Sequence, residues 1–200
     1  MATWHERFQT TEYVYGTEPN EFIEMMQNKL RLSGRALAIA EGEGRNAVYL
    51  AGQGMHVTAW DFARSGLAKT ERLAEERRVG VLTEQVDLAE AEWAEEAWDL
   101  IICVFGHFPK DVQHKTFDGI KRALKPGGHF LMEVYSVGQP AYGTVGPKQE
   151  SFLYRPEEVL EAFRGFKLIH FFTGEVERHE GKLHNGLSHV IQLACQKPAE

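Results

Sequence analysis

The sequence predicts one doubly wound α/β domain: a mostly parallel sheet of seven strands that ends in a C-terminal antiparallel hairpin. Three observations carry this. Short apolar runs alternate with helical patterns along most of the chain, as in successive βα units. The run 98–104, Trp-Asp-Leu-Ile-Ile-Cys-Val, is apolar apart from Asp99, as in a central parallel strand buried on both faces. The last two apolar runs, 167–177 and 187–196, have no helical pattern between them. They flank His179-Glu180-Gly181-Lys182 and should pair as a hairpin.

Residues 1–18 form a polar N-terminal arm rich in aromatics (Trp4, Phe8, Tyr13, Tyr15), which reads as a lid. Pro19-Asn20 opens a short helix that runs to about Leu32 and is stopped by Ser33-Gly34. The first strand is 36–40, and its helix runs from about Arg45 to Gln53, ended by Gly54. The second strand is 56–60. Ser65 is placed to cap a helix to Arg78, with Leu67 and Leu73 facing inward and Gly80 as its stop. The third strand, about 82–86, ends in Asp87. After the fourth strand, 111–124 is a helix whose apolar side is Val112, Phe117, Ile120 and Leu124. Lys125-Pro126-Gly127-Gly128 is a sharp turn into the fifth strand, 129–135. Pro156 suits the first turn of another helix. The glycine- and proline-rich stretch 139–148 fits a substrate-binding flap.

Two hundred residues suit a single domain, and no linker or repeat divides them. The net charge of −7 comes with no basic tract, so neither nucleic acid nor an anionic membrane surface is an expected partner. No apolar stretch is long enough to span a bilayer, and the first residues lack a signal-peptide core, so a cytoplasmic location is expected. Cys103 and Cys195 both lie in apolar runs and read as reduced core thiols. Among nine histidines no pair has the spacing of a metal site, so no metal is expected. His56 and His129 begin strands and read as structural.

The chemistry gathers at Glu41-Gly42-Glu43-Gly44-Arg45-Asn46-Ala47. A buried strand ends in Gly42-x-Gly44 and a helix follows at once. Asp61 closes the next strand, nineteen positions after Gly42. Strand, glycine turn, helix, strand and terminal acid is the layout of a nucleoside-binding βαβ unit, the acid accepting from ribose hydroxyls. A dinucleotide would lay its pyrophosphate on the helix N-terminus. Glu41 and Glu43 would repel it, whereas S-adenosylmethionine (SAM) brings no phosphate and carries an ammonium. The charge therefore favours SAM over NAD(P), although Ala47 fits the looser dinucleotide pattern G-x-G-x-x-A.

With these motifs the chain resembles the class I SAM-dependent methyltransferases over nearly its whole length. Val57-Thr58-Ala59-Trp60-Asp61-Phe62 resembles the family's ribose-binding second motif, and Leu124-Lys125-Pro126-Gly127-Gly128-His129-Phe130 its turn before the fifth strand. The run 41–47, Tyr15-Gly16 and His184-Asn185-Gly186 look most like the tellurite-resistance-type branch, which methylates small soft nucleophiles such as chalcogen oxyanions and thiols. The resemblance implies a Rossmann-like methyltransferase fold and SAM as cofactor. It places Tyr15, Ala40, Glu41, Gly42, Gly44 and Asn46 around the cofactor, with Asp61 and Phe62 at the ribose. Asp87 would hold the adenine amino group, Leu88 would pack on the ring, and Val104 and Phe105 would lie beside the reacting methyl.

His107 and His184 are the candidate catalytic residues. Phe105, His107, Phe108 and Tyr142 would make a small aromatic acceptor pocket, with Lys148, Arg155 and His184 supplying positive charge. The chain departs from the family at Ala38, where an acid is usual; Glu41 could take over that charge. The alternatives are a SAM-binding protein with weakened catalysis, which Ala38 favours, and an NAD(P)-dependent oxidoreductase.

Overall fold

A computed structural model describes residues 4–143, 146–181 and 184–199, with the side chain of His184 outside the description. The elements are α1 (Trp4–Phe8), α2 (Glu21–Leu30), β1 (Arg35–Ile39), α3 (Arg45–Gly52), β2 (His56–Asp61), α4 (Arg64–Arg77) and β3 (Val81–Gln85). They continue with β4 (Trp98–Val104), α5 (Lys110–Ala123), β5 (Leu124–Tyr135), α6 (Pro156–Ala162), β6 (Lys167–Glu180) and β7 (His184–Gln196). Two short 3₁₀ turns, Gln139–Tyr142 and Glu150–Phe152, lie between β5 and α6.

The seven strands form one sheet in the order β3-β2-β1-β4-β5-β7-β6. The first five run parallel, and β7 is antiparallel to both β5 and β6. Alternate residues of the central strands feed opposite faces, as a period of two requires. Leu37, Ile39, Ile101, Phe130 and Met132 join one buried cluster, and Ala36, Ala38, Leu100, Ile102 and Leu131 the other. Both faces are thus covered, which is why these strands read as unbroken apolar runs. The strand order turns between β1 and β4, leaving a crevice at their carboxyl ends, the usual ligand site of such sheets.

Several boundaries differ from expectation for local reasons. Ser65 does not cap α4; its hydroxyl donates to the His5 carbonyl oxygen at 2.8 Å, while Asp61 Oδ1 accepts from the Ala63 N–H at 2.8 Å. Arg31, in the left-handed region at φ 51, ends α2 before Ser33-Gly34 is reached. β5 begins at Leu124, because that residue pairs with Trp98 before the register shifts. The arm contains a short helix, α1, whose Phe8 is buried. β6 and β7 each run three residues further toward their turn than the apolar runs suggested, because Arg178 and Glu180 point inward as ion-paired groups. No helix among the described residues is long and apolar enough to cross a membrane.

Candidate functional site

The crevice is framed by two strained residues. Ala40 follows β1 at φ 50 and Phe105 follows β4 at φ 52, both in the left-handed region that side chains with a Cβ avoid. Strain of this kind persists only where the surroundings enforce it, and it gathers at ligand sites. Between them Gly42 (φ 65) and Gly44 (φ 90) make the turn. A Cβ at Gly44 would lie 2.6 Å from the Thr70 side chain and 2.7 Å from its Cα, so the turn packs directly on α4.

Glu41 turns back onto the helix it precedes. Its Oε1 accepts from the N–H groups of Asn46 (2.9 Å) and Ala47 (2.8 Å) in the first turn of α3. That is where an anion would bind a free helix N-terminus. Burial pushes its carboxyl up to about 7, against the pull of those amides and of Arg45. Asp61 is also buried: Oδ2 accepts from Gly42 N–H at 2.8 Å and Oδ1 from Ala63 N–H. Burial raises its pKa as well, opposed by these bonds. Each oxygen keeps acceptor capacity for a further donor.

Glu43 faces away from the role expected of it. It does not stand as a free carboxylate at the turn; it pairs with Lys69 of α4 and accepts from the main-chain N–H of Val14 and Tyr15. Lys69 also donates to the Glu12 carbonyl at 2.6 Å, and Arg72 to that of Thr11 at 3.0 Å. The arm is therefore stitched across the glycine turn and α4. Phe8 lies over Gly42, where a Cβ would meet its ring at 3.2 Å. The Tyr15 hydroxyl accepts from Arg7 at 3.0 Å, and a Cβ on Gly181 would press on the Tyr15–Gly16 backbone, so the turn between β6 and β7 touches the arm.

At the far side of the crevice Phe62 is half-exposed, Asp87 is exposed with Oδ1 accepting from Ala89 N–H at 2.9 Å, and Leu88 is buried. Gln85 donates to the Phe62 carbonyl at 2.9 Å, tying the ends of β2 and β3 together. Beyond β4, Phe105 stacks on Tyr135 with ring centres 4.6 Å apart, and His107 stacks on the same tyrosine. Both nitrogens of His107 meet main-chain atoms. Nε2 accepts from Tyr135 N–H at 3.3 Å, and Nδ1 lies 3.0 Å from the Phe152 carbonyl oxygen, where it can donate. This geometry makes it a brace between β5 and the 150–152 turn. The Cys103 thiol is pushed up to about 12 by burial, so it is inert.

The expected flap cations lie elsewhere. Arg155 pairs with Glu150 at 2.7 Å on the surface, Lys148 is exposed, and Tyr142 donates to Glu175 at 2.7 Å. In their place stands a buried network that the sequence reading missed. Arg178 of β6 pairs with Glu133 of β5 and with Glu180. Glu180 pairs with Arg45 at 2.7 Å. Asn20, wholly buried, donates its Nδ2 to Glu133 (2.7 Å) and Glu180 (3.1 Å), while its N–H donates to Asn46 Oδ1 at 2.9 Å. Two arginines and two glutamates sum to zero. Arg178 and Glu180 sit two apart on a strand, hence on one face; that spacing of opposite charges was the available signal. The Arg178 guanidinium also lies 5.8 Å from the centre of the Phe105 ring.

Among the described residues no cluster of three His, Cys, Asp or Glu could hold a metal. An open groove of about 660 Å³ between α5 and α6 is lined by none of these site residues.

Residues 36–128 match a family model described as a methyltransferase domain. A curated relative, the demethylmenaquinone methyltransferase of Clavibacter sepedonicus, is 31% identical over 103 residues; the match spans 51% of this chain and 41% of that protein's length. TehB from Haemophilus influenzae superposes with a TM-score of 0.74 at 18% identity, covering 97% of this chain and 65% of that one. A SAM-dependent methyltransferase of Methanosarcina mazei superposes at 0.68 and 15% identity, covering 92% of this chain and all of that one (100%). Residues 36–128 are thus similar to methyltransferase domains, and the chain as a whole shares the Rossmann-like α/β fold of these solved structures.

Proposed function

We propose that the protein is a SAM-dependent methyltransferase whose acceptor is a small soft nucleophile, a thiol or a chalcogen oxyanion. The observation that carries the cofactor reading is the seat of Glu41 on the amides of Asn46 and Ala47. The anion site that a dinucleotide's pyrophosphate needs is filled by the chain's own carboxylate, so the NAD(P) reading loses its anchor. SAM has no phosphate to place there. Asp61 and Phe62 would hold the ribose side, Asp87 and Leu88 the adenine, and Ala40, Glu41, Gly42, Gly44, Asn46, Val104 and Phe105 the methionine end. Glu41 is the carboxyl that would stand in for the acid missing at Ala38.

When bound, the sulfonium supplies a methyl group already activated for in-line displacement, the acceptor's lone pair forming the new bond as the carbon–sulfur bond breaks. The chain's own part is alignment and exclusion of water, which can contribute on the order of 7–11 kcal/mol where geometry is good. The arm that Glu43 and Lys69 fasten over the turn serves exclusion, with Tyr15 on its inner side. A thiolate or oxyanion needs no base, which suits a site where His107 is engaged at both nitrogens. His107 then acts by holding the acceptor wall, and His184 stays a candidate for contact with the acceptor. The electroneutral network of Arg45, Arg178, Glu133 and Glu180 favours a thiol or monoanion over a dianion. The fold likeness to TehB and the resemblance of the glycine turn to the tellurite-resistance-type branch support a compact acceptor; nucleic acid and membranes are not expected partners.

The test is a panel of radiolabelled methyl transfer from SAM to simple thiols, selenite, tellurite, catechols, tRNA and lysate protein, beside calorimetry with SAM and NADPH. Labelling of thiols or selenium compounds is the expected outcome. Labelling of a macromolecule with those compounds inert would overturn the acceptor, and NADPH binding with no response to SAM would overturn the cofactor.

A further inference from the structure

Glu180 gathers donors from three separate segments. Arg45 Nη2 from the first residue of α3 lies at 2.7 Å, Arg178 Nη1 from its own strand at 3.2 Å, and the Asn20 side chain and Glu21 N–H at the start of α2 at 3.1 and 3.2 Å. It is the one ion-pair partner of Arg45 among the described residues, and Arg45 Nη1 has no hydrogen-bond partner there. Arg45 and Glu180 are almost wholly buried, and in a low-dielectric interior a charge holds position only through its partner. Arg45 stands next to Asn46, which binds Glu41 through its N–H and Asn20 through its side chain. Arg178 faces Phe105 and Glu133 at the ends of β4 and β5. One carboxylate therefore links the glycine turn to the hairpin that walls the crevice.

We propose that Glu180 is a positioning residue, coupling occupancy of the cofactor turn to the order of the β6–β7 hairpin on the acceptor side. This rests on the cofactor reading above. A purely structural role would hold the hairpin equally with or without cofactor. A coupling role makes cofactor binding at residues 40–47 tighten residues 176–181 and 185–190 through Arg45, Asn46, Asn20 and Glu180, beside the separate route in which Glu43 holds Tyr15 and the β6–β7 turn touches Tyr15–Gly16.

The experiment is amide hydrogen exchange with and without S-adenosylhomocysteine, its binding being followed by calorimetry. In the unaltered chain the ligand should slow exchange in the hairpin by about fivefold or more. In Glu180→Gln the ligand should still bind, while hairpin slowing falls below about twofold. Arg45→Met cuts the same link from the other side and should give the same loss, which keeps the test open if one variant fails to fold. Glu177→Gln, on the exposed side of the same strand, should transmit as the unaltered chain does. Full hairpin protection in Glu180→Gln or Arg45→Met, with ligand bound, overturns the coupling. Absence of any S-adenosylhomocysteine binding to the unaltered chain is a different result: it removes the cofactor reading, and the coupling with it.

Discussion

Lys69 Nζ lies 2.6 Å from Glu43 Oε1, with the two side chains 6% and 2% exposed, and this pair fastens the N-terminal arm to the glycine turn. Removing one partner of a buried pair strands the other charge. Lys69→Met should therefore cost about 3–5 kcal/mol in denaturant unfolding and speed proteolysis of the arm. Adding Glu43→Gln should recover part of the loss. A single variant as stable as the parent would mean that water reaches Glu43.

Asp61 holds the glycine turn, and the proposed function adds a second task, the cofactor's ribose. Asp61→Asn should weaken SAM binding by roughly 1.5–3 kcal/mol, as for a hydrogen bond to a charged group. It should also lower stability, because the carboxylate holds the Gly42 and Ala63 amides. Calorimetry and urea unfolding read the two effects separately. Unchanged affinity beside reduced stability would assign the residue to the turn alone.

Glu41 sets a pH dependence with a definite sign. Burial lifts its carboxyl from 4.5 to about 7, so the native state binds this proton more tightly than the unfolded chain does. Its contribution is full below pH 4.5 and is lost as the pH rises to about 7. Relative to Glu41→Gln, the parent should lose about 3 kcal/mol across that window, at about 1.4 kcal/mol per pH unit. Unfolding at several pH values on both chains isolates this group from Asp61 and Glu133, which are shifted in the same direction. A constant difference between the two chains would place Glu41 in contact with water.

Gly44→Ala combines a left-handed backbone with overlap onto α4. It should destabilise by about 1–3 kcal/mol and abolish measurable SAM binding. Thr70→Ala should not rescue it, because the Thr70 Cα itself stands 2.7 Å from the added carbon. Gly52→Ala, with no atom within 4 Å of its added carbon, is the control and should be neutral to stabilising in thermal unfolding.

The sheet was legible because each buried strand is a short apolar run bounded by turn residues, and β4 spans the residues expected of it. The glycine turn and Asp61 were legible because a special backbone geometry needs particular residue types at a fixed spacing. The partnerships were not. Glu43 finds Lys69 across 26 positions, and Asn20 finds Glu180 across 160, distances at which sequence carries no local trace. Glu43 consequently read as a charge facing the ligand, when its partner had already neutralised it. Lys148 and Arg155 read as site cations because a flap was expected to fold inward, yet Arg155 is engaged at the surface by Glu150. The side chain of His184 lies outside the described residues, and its role rests on sequence alone.

β7 is last of the seven strands in chain order, yet it lies inside the sheet between β5 and β6. During synthesis β5 must therefore stand as an open edge, and β6 has no place to dock, until residues 184–196 have left the ribosome. An unpaired hydrophobic edge is a template for pairing with other chains. The nascent protein is thus exposed to wrong association until β7 has emerged, and a stop or frameshift just before His184 would yield an aggregating chain instead of a smaller folded one.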